Sequence, residues 1–463
     1  MPFPASIPAI RKMTGAANDT IAAIATPPGK GGIGIVRVSG PRTTAIAQAI
    51  LKRVPPPRAA TRARFYAADD GVIDDGLALF FPAPGSFSGE DVLELHGHGG
   101  PVVMDMLLAR ALQAGARMAR PGEFSQRAFL NGKMDLAQAE AVADLIDSAS
   151  QMAARCAQRS LQGEFSRRVD AAVETLVEIR AYVEGAIDFP EDEIDFLADE
   201  DLEHRLSDLL AALSAVEAAA AQGRLLREGI SVVIAGRPNV GKSSLLNRIS
   251  GRDAAIVTEL PGTTRDVLRE YVHLDGLPVH VIDTAGLRAT NDAVEIHGIS
   301  RAKREIRDAD VVLAMVDDRD ADACECEALF AEIGDGPACI VARNKVDLSG
   351  NAPGPVPYAV HPEVRISAKT GAGIEVLKRC LKATVGYRET GEGAFTARRR
   401  HLEALAAART HGSLALAQLR GPREAELIAE DLRCMQRALG EITGAVTTED
   451  LLDRIFSSFC IGK

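Results

Sequence analysis

The stretch that most constrains this chain is Gly236-Arg237-Pro238-Asn239-Val240-Gly241-Lys242-Ser243, because of what flanks it. Before it, Ile230-Ser231-Val232-Val233-Ile234-Ala235 reads as a buried strand; after it, Ser244-Leu245-Leu246-Asn247-Arg248-Ile249 reads as a helix. Strand, glycine loop and helix in that order make a phosphate cradle. The glycines let backbone N–H groups turn onto phosphate oxygens, and the helix N-terminus adds positive field. Lys242 is placed to reach the β- and γ-phosphates, and the Ser243 hydroxyl to ligate Mg²⁺. The loop alone does not separate ATP from GTP.

Three further motifs follow in order. Asp283-Thr284-Ala285-Gly286 comes straight after the apolar run His280-Val281-Ile282, so Asp283 stands at a strand end facing the metal. Asn344-Lys345-Val346-Asp347 follows Ala338-Cys339-Ile340-Val341-Ala342, another strand. A carboxylate at Asp347 accepts hydrogen bonds from the N1–H and 2-amino groups of guanine, which adenine does not offer, and a buried acceptor left unpaired makes the discrimination large. Ser367-Ala368-Lys369 supplies a short loop whose amide can hold the guanine O6. Each motif alone fits an ordinary strand-to-loop turn. Together, in this order and spacing, they predict a guanine-nucleotide-binding domain.

The catalytic position is unusual. In Ras-like switches a glutamine after the Asp-x-x-Gly motif orients the attacking water; here that position is Leu287. Either hydrolysis is slow or another polar residue takes the role, and Glu295 in Asn291-Asp292-Ala293-Val294-Glu295 is the nearest candidate. Between the phosphate loop and Asp283 lies Thr258-Glu259-Leu260-Pro261-Gly262-Thr263-Thr264-Arg265-Asp266, whose threonine pair suits closure over Mg²⁺. Arg265 is either a cis arginine finger or the partner of Asp266 or another nearby acid.

At 463 residues the chain is too long for one core, so two to four domains are expected. Hydrophobic content is 46%, and no apolar run is expected to reach the roughly 18–20 residues of a membrane span. A net charge of −11 argues against non-specific coating of nucleic acid but not against a local basic site such as Arg398-Arg399-Arg400, which also reads as a solvated helix start. Seven scattered cysteines suit a reducing cytoplasm. Cys324 and Cys326 have no second pair or nearby histidine for zinc, and His96-Gly97-His98-Gly99-Gly100 reads as a structural turn before a metal hook. Residues 1–17 are Pro-rich, lack the apolar core of a secretory signal, and read as a disordered extension with Met13 as an alternative start.

Short strands (Gly34 to Val38, Gly76 to Phe81, Asp91 to Leu95) mixed with helical runs give an α+β N-terminal module. From about Ser125 to Leu226 the period is helical, with Leu202, Leu206, Leu209, Leu210, Leu213 and Val216 on one stripe. Ile428, Leu432, Met435, Leu439 and Ile442 repeat that spacing near the C-terminus. The C-terminal helices are too few for a core of their own, so they are expected to pack on the earlier ones, with the nucleotide domain inserted between. The expected architecture is multidomain: an extension over 1–17, an α+β domain over 18–131, an all-α domain over 132–226 and 392–463, and an inserted α/β P-loop domain over 227–391.

The ending Phe459-Cys460-Ile461-Gly462-Lys463, with Asn239 in the phosphate loop and Gly262-Thr263-Thr264-Arg265-Asp266, resembles the MnmE (TrmE) family of tRNA modification GTPases. The resemblance extends to Ala25-Thr26-Pro27-Pro28-Gly29-Lys30-Gly31-Gly32, to Ser88-Gly89-Glu90-Asp91 through Gly100, and to Arg120-Pro121-Gly122-Glu123-Phe124-Ser125 through Glu140. It implies a homodimer working with the FAD-dependent MnmG protein, in a heterotetramer or larger complex, on carbon 5 of the wobble uridine of certain tRNAs. It implies that the N-terminal domain binds a formyl- or methylene-tetrahydrofolate through Arg37, Glu94, Lys133 and Lys463. It further implies that K⁺ replaces an arginine finger, caged by the Asn239 side chain, the Thr258 and Leu260 carbonyls and Thr263, while Ser243 and Thr264 hold Mg²⁺ and Glu295 orients the water. The competing expectation is an RNA-binding ribosome-assembly GTPase that acts only as a switch; its usual Gly-x-x-Gly loop between helices is matched only nominally by Gly29-Lys30-Gly31-Gly32.

Overall fold

A computed structural model describes residues 19–188, 200–249, 269–283, 307, 309–319, 336–357, 359, 361–388, 393–421 and 424–462. They fall into two compact units, the first made of Met1–Ile146, Ser160–Ser214 and Glu403–Lys463, the second of Asp147–Arg159 and Ala215–Leu402.

The first unit holds a six-stranded sheet of β1 (Ile21–Ile24), β2 (Gly34–Ser39), β3 (Thr61–Tyr66), β4 (Val72–Phe81), β5 (Val92–Gly97) and β6 (Arg117–Met118), in the order β3-β4-β5-β2-β1-β6. Alternation along the strands sorts the residues between two faces. Val36, Val38, Ala63, Phe65, Ala78, Leu93 and Leu95 form one buried face, packed on Ile46, Ala47 and Ile50 of α1 (Thr43–Leu51) and Met104, Leu107 and Leu108 of α2 (Pro101–Gln113). The opposite face carries Arg37, Glu94 and His96 in the centre and Arg62, Arg64 and Asp75 at the β3 edge. Strand β4 starts at Val72, four residues before the apolar run that marks it in the sequence. The extra residues include Asp74 and Asp75, which hydropathy discards, but which pair with His98 and with Arg62 and Arg64.

Beyond the sheet, α3 (Glu123–Leu130) sets Phe124 against Ile21, Ala23 and Ala119. The α4 helix (Leu136–Ile146) and α6 (Glu164–Asp188) pack with the helix Ala425–Thr443, whose Ile428, Leu432, Met435, Leu439 and Ile442 are all fully buried. The helix Glu449–Phe456 starts at a Thr448 cap that accepts from the Leu451 N–H, and it seats Leu452, Ile455 and Phe456 on Leu136 and Ala139. Two further helices are α5 (Gln151–Leu161) and α7 (Glu200–Glu228), of which Cys156, Leu225 and Leu226 join the core of the second unit. By length and composition Asp201–Glu228 is apolar enough to span a membrane, which corrects the expectation that no run approaches that length. Its alanines from Ala211 to Ala221 sustain the apolar character without large side chains, and Leu202, Leu206, Leu209 and Leu213 are buried within the protein.

The second unit is built on a seven-stranded sheet: β7 (Ile230–Ala235), β8 (Arg269–Leu274), β9 (Leu277–Asp283), β10 (Val311–Asp317), β11 (Ala338–Asn344), β12 (Gly354–Pro355) and β13 (Glu363–Arg365). The order is β12-β13-β11-β10-β7-β9-β8, with β7, β9, β10, β11 and β13 parallel and the two edge strands antiparallel. Every residue of β10 is buried, as a central parallel strand covered on both faces requires. The order reverses beside β7, so the carboxyl ends of β7, β9 and β10 flank a crevice of the kind where open α/β sheets bind ligands.

In the first unit, Glu123 is held by Arg117 Nη2 at 2.6 Å and Arg127 Nη2 at 3.1 Å, with Asp19 and Glu90 completing the network. Burial pushes the Glu123 carboxyl up, but hydrogen bonds from Arg117, from the Arg120 N–H and from Arg127 outweigh it and bring it down from 4.5 to about 2. A carboxyl depressed on folding contributes stability above its unfolded value, lost as pH falls from about 4.5 to about 2. The contribution is on the order of 3 kcal/mol when fully present. Glu123→Gln is expected to lower stability at pH 7 and flatten its decline between pH 5 and 3, measured by denaturant midpoints across that range; an unchanged acid limb contradicts the assignment.

Candidate functional site

The phosphate loop leaves the end of β7 and enters α8 (Lys242–Ile249), in the strand–loop–helix order that its sequence requires. Three residues of the loop take positive φ: Gly236 at 150°, Asn239 at 65° and Gly241 at 103°. Two of these positions leave no room for a Cβ. One at Gly236 would run into the Met315 carbonyl oxygen of β10, and one at Gly241 into the Asn344 side chain. Lys242 is buried, and its Nζ donates to the carbonyls of Gly236 at 2.7 Å and Arg237 at 3.0 Å, which holds the cation over the loop. Ser243 and Ser244 are exposed in the first turn of α8, where an oxygen can join a metal shell. Asn239 is also exposed, at the outer bend of the loop.

The base-recognition residues gather from the end of β11 and the loop after β13. Asn344 is 3% exposed and joins the two loops: its Nδ2 donates to the Val240 carbonyl at 2.7 Å, and its Oδ1 accepts from the Ala368 N–H at 2.9 Å. The sequence offers a backbone N–H of the Ser367-Ala368-Lys369 loop for guanine O6; that of Ala368 is engaged by Asn344. Asp347 opens the short helix Val346–Ser349 and accepts from Ser367 Oγ at 2.7 Å, while the Thr370 N–H donates to the same Oγ at 3.1 Å. Exposed, and held from one side only, the Asp347 carboxylate keeps lone pairs for a ligand. Lys345 has φ 75° and reaches Asp317 Oδ2 at 2.8 Å.

Two residues the sequence did not single out hold this site. Arg248 of α8 donates to the carbonyls of Ala368 and Lys369, which ties the phosphate-loop helix to the loop after β13. Asp317, at the end of β10, anchors Lys345; hydrogen bonding from Arg319, then from Lys345, holds its carboxyl well below the usual carboxylate range. A carboxylate ending an all-apolar strand was a legible signal for Asp317. Nothing local in the sequence marked Arg248.

Thr258, Glu259, Leu260, Pro261, Gly262, Thr263, Thr264, Thr284, Ala285, Gly286, Leu287 and Glu295 lie outside the described residues, as do Cys324, Cys326 and Lys463. Asp283 ends β9, beside β7.

On the polar face of the first unit's sheet, Arg37 and Glu94 are direct cross-strand partners. Arg37 Nε lies 3.0 Å from Glu94 Oε1, and Arg37 Nη1 donates to the Gly462 carbonyl at 3.3 Å, which brings the C-terminal tail to the same spot. The guanidinium sits 5.6 Å from the Phe87 ring centroid and 5.7 Å from that of Phe124. His96 Nε2 is 3.1 Å from Glu94 Oε2; residues two apart on a strand share a face, a signal that was available for His96. His98 bonds Asp74 instead, at 2.7 Å. Lys133 stands apart from the Arg37–Glu94 pair in its bonding. Its Nζ donates to the Pro84 carbonyl at 2.9 Å, and its stem packs by Gly89. A half-buried carboxylate, a guanidinium and two aromatic rings fit a flat heterocycle with an amino and ring N–H edge. The Gly29-Lys30-Gly31-Gly32 turn lies between strands β1 and β2, not between helices.

Two family models match this chain: the GTP-binding protein TrmE N-terminus over residues 20–133 and the MnmE helical domain over residues 136–460. Among curated relatives, the tRNA modification GTPase MnmE of Chromohalobacter salexigens is 58% identical over 450 residues, covering 96% of this chain and 98% of that one. Among solved structures, an Era variant from Aquifex aeolicus bound to GDP·AlF4⁻ is 26% identical with a TM-score of 0.27, covering 39% of this chain and 66% of that one. The G domain of the T. maritima FeoB iron transporter is also 26% identical, with a TM-score of 0.26, covering 34% and 98%. With family models spanning both the N-terminal and helical regions, and identity running along nearly the whole length of a relative, this chain belongs to the MnmE (TrmE) family.

Proposed function

We propose that this protein is a K⁺-activated GTP hydrolase that acts with an FAD-dependent MnmG partner. Together they add a carboxymethylaminomethyl group to carbon 5 of the wobble uridine of certain tRNAs, drawing on a tetrahydrofolate. Kinship along almost the full length of a tRNA modification GTPase carries this reading. A nucleotide site in which Asn344 fastens the phosphate loop to the base-recognition loop supports it. In this proposal Lys242 neutralises the phosphates, Ser243 and Thr264 hold Mg²⁺, and Asn239 with the Thr258 and Leu260 carbonyls and Thr263 holds K⁺. Those ions supply fixed positive charge where the phosphoryl transition state develops negative charge. Glu295 orients the water, since the Leu287 side chain has no polar atom with which to do so.

Arg37 and Glu94 hold the pteridine edge of the folate, with Lys133 and Lys463 on its glutamate tail. The folate, a 5-formyl- or 5,10-methylene form, supplies the one-carbon unit when bound. The working assembly is a homodimer joined to the partner in a heterotetramer or larger complex, in the cytoplasm. Nucleoside analysis of tRNA from a strain lacking the gene is the direct test. Loss of the carbon-5 modification at the wobble uridine is expected, and full modification overturns the proposal.

Two expectations follow for the nucleotide site. Asp347→Asn is expected to lose guanine preference and to favour xanthosine nucleotides, whose 2-oxo group suits an amide donor; equal binding of GTP and XTP by the parent contradicts the assignment. K⁺ is expected to raise turnover where Na⁺ does not, by a sizeable part of the roughly 10³–10⁵ that an arginine finger supplies. Asn239→Ala is expected to flatten that response while keeping nucleotide affinity. Equal rates in NaCl and KCl remove K⁺ from the mechanism.

A further inference from the structure

The β3 edge of the first unit's sheet carries an open recess of about 410 Å³ lined by Leu51, Arg53, Arg62, Arg64, Tyr66 and Asp75, among others. Its walls come from three places: the residues ending and following α1, the strand β3, and Asp75 on β4. Arg62 and Arg64 are two apart on the strand and so face the same way, about 6.6 Å apart along it. Both lean on one carboxylate by long single contacts, Arg62 Nε at 3.6 Å and Arg64 Nε at 3.5 Å from Asp75, while their side chains remain 84% and 64% exposed. Arg53 reaches the Arg62 carbonyl at 2.8 Å, so its cation stays at the rim. Neighbouring Lys52 is matched by Asp70. Two guanidinium groups therefore share one counter-charge, with that of Arg53 on a backbone carbonyl beside them, in a chain whose net charge is −11.

Charges on an edge strand also discourage strand-to-strand aggregation. That role asks for no concavity, and no convergence from a helix end and a neighbouring strand. Tyr66 adds a phenol to the wall, with Lys52 Nζ 5.7 Å from its ring centroid and its backbone carbonyl held by Arg110 Nε at 3.2 Å. Guanidinium groups spaced along a strand, with a tyrosine at its end, are the chemistry of a nucleic-acid backbone: cations on phosphates and a phenol hydroxyl for a further oxygen.

We propose that this recess binds the RNA backbone, with Arg53, Arg62 and Arg64 on successive phosphates. The proposal rests on the tRNA-modifying function proposed above and gives that substrate a place on the protein. Register links the recess to the other site: Arg62 pairs with Leu77, and Leu77 with His96, on the same sheet face as Arg37 and Glu94. Two to three strand spacings, about 10–14 Å, separate them. An RNA strand held at the edge thus lies beside the face assigned to one-carbon chemistry.

The test is equilibrium binding of an unmodified tRNA transcript by the full-length protein over a KCl series. The double variant Arg62→Ala/Arg64→Ala is expected to bind tenfold or more weakly at low salt and to reduce the slope of log K against log[salt] by about two. Arg62→Lys/Arg64→Lys is expected to keep the slope, and GTP hydrolysis without RNA is expected to be unchanged in both. Asp75→Asn is expected to tighten binding, a gain that a misfolded variant does not produce. Parent-like affinity and slope in the double alanine variant, or no tightening in Asp75→Asn, overturns the site and leaves the proposed function standing. A parent protein that binds no tRNA at about 50 mM KCl overturns the site as well, while loss of the wobble modification in the deletion strain remains the separate test of the function.

Discussion

One buried amide carries much of the nucleotide site. Asn344 gives its Nδ2 to the Val240 carbonyl of the phosphate loop and takes the Ala368 N–H at its Oδ1. A carboxamide is suited to this because it donates and accepts from one planar group. An aspartate in its place would set a charge against the Val240 carbonyl, and a leucine would leave two buried backbone groups unpaired, at about 1–3 kcal/mol each. The requirement spreads outward. Gly241 must be glycine because Asn344 occupies the space a Cβ would take, and Gly236 must be glycine because β10 presses a carbonyl against it. Arg248 repeats the link from the other side, binding the carbonyls after β13 with a guanidinium that grows from the phosphate-loop helix.

The first unit is organised around ion pairs of a different character. In the network of Asp19, Glu90, Arg117, Glu123 and Arg127, of which Glu123 and Arg127 are buried, each arginine meets more than one carboxylate. Arg127 is 7% exposed and its pairs are well satisfied, the condition under which burying charge is tolerable. This network fixes α3, and α3 in turn presents Phe124 to the Arg37 guanidinium. The central pair, Arg37 and Glu94, is more open and tied to the C-terminal tail through Gly462. At the β3 edge the pairs are long and exposed. From the β6 edge to the β3 edge the same sheet thus grades from well-satisfied ion pairs to long, exposed ones.

Much of this was legible in the sequence because it is local. Phosphate-loop spacing marked a strand at Ile230–Ala235 and a helix from Ser244 to Ile249, which begins two residues earlier at Lys242, and the 3–4 spacing from Ile428 to Ile442 marked one buried helix face. What escaped was non-local or masked by polarity. Asp74 and Asp75 hide the first half of β4, since acidic residues in a strand make sense only once their cross-strand arginine and histidine partners are known. Arg248 acts through a partner 120 residues away in the chain, a separation no short pattern spans. The Ala368 amide was readable as a donor, but its engagement with Asn344 needed the fold. The long Asp201–Glu228 helix shows the reverse: its length and composition would allow a membrane span, and the burial of its leucines supplies the other explanation.

The claim on which the nucleotide site depends is that Asn344 holds two loops in the geometry the nucleotide needs. Calorimetric GDP binding to Asn344→Ala, with Asp347 and Lys242 intact and folding checked by circular dichroism, tests it directly. Removing both bonds is expected to weaken GDP by roughly 10²-fold or more, the scale of two buried backbone groups losing their partners. A folded Asn344→Ala protein that binds GDP within about threefold of the parent would contradict the account.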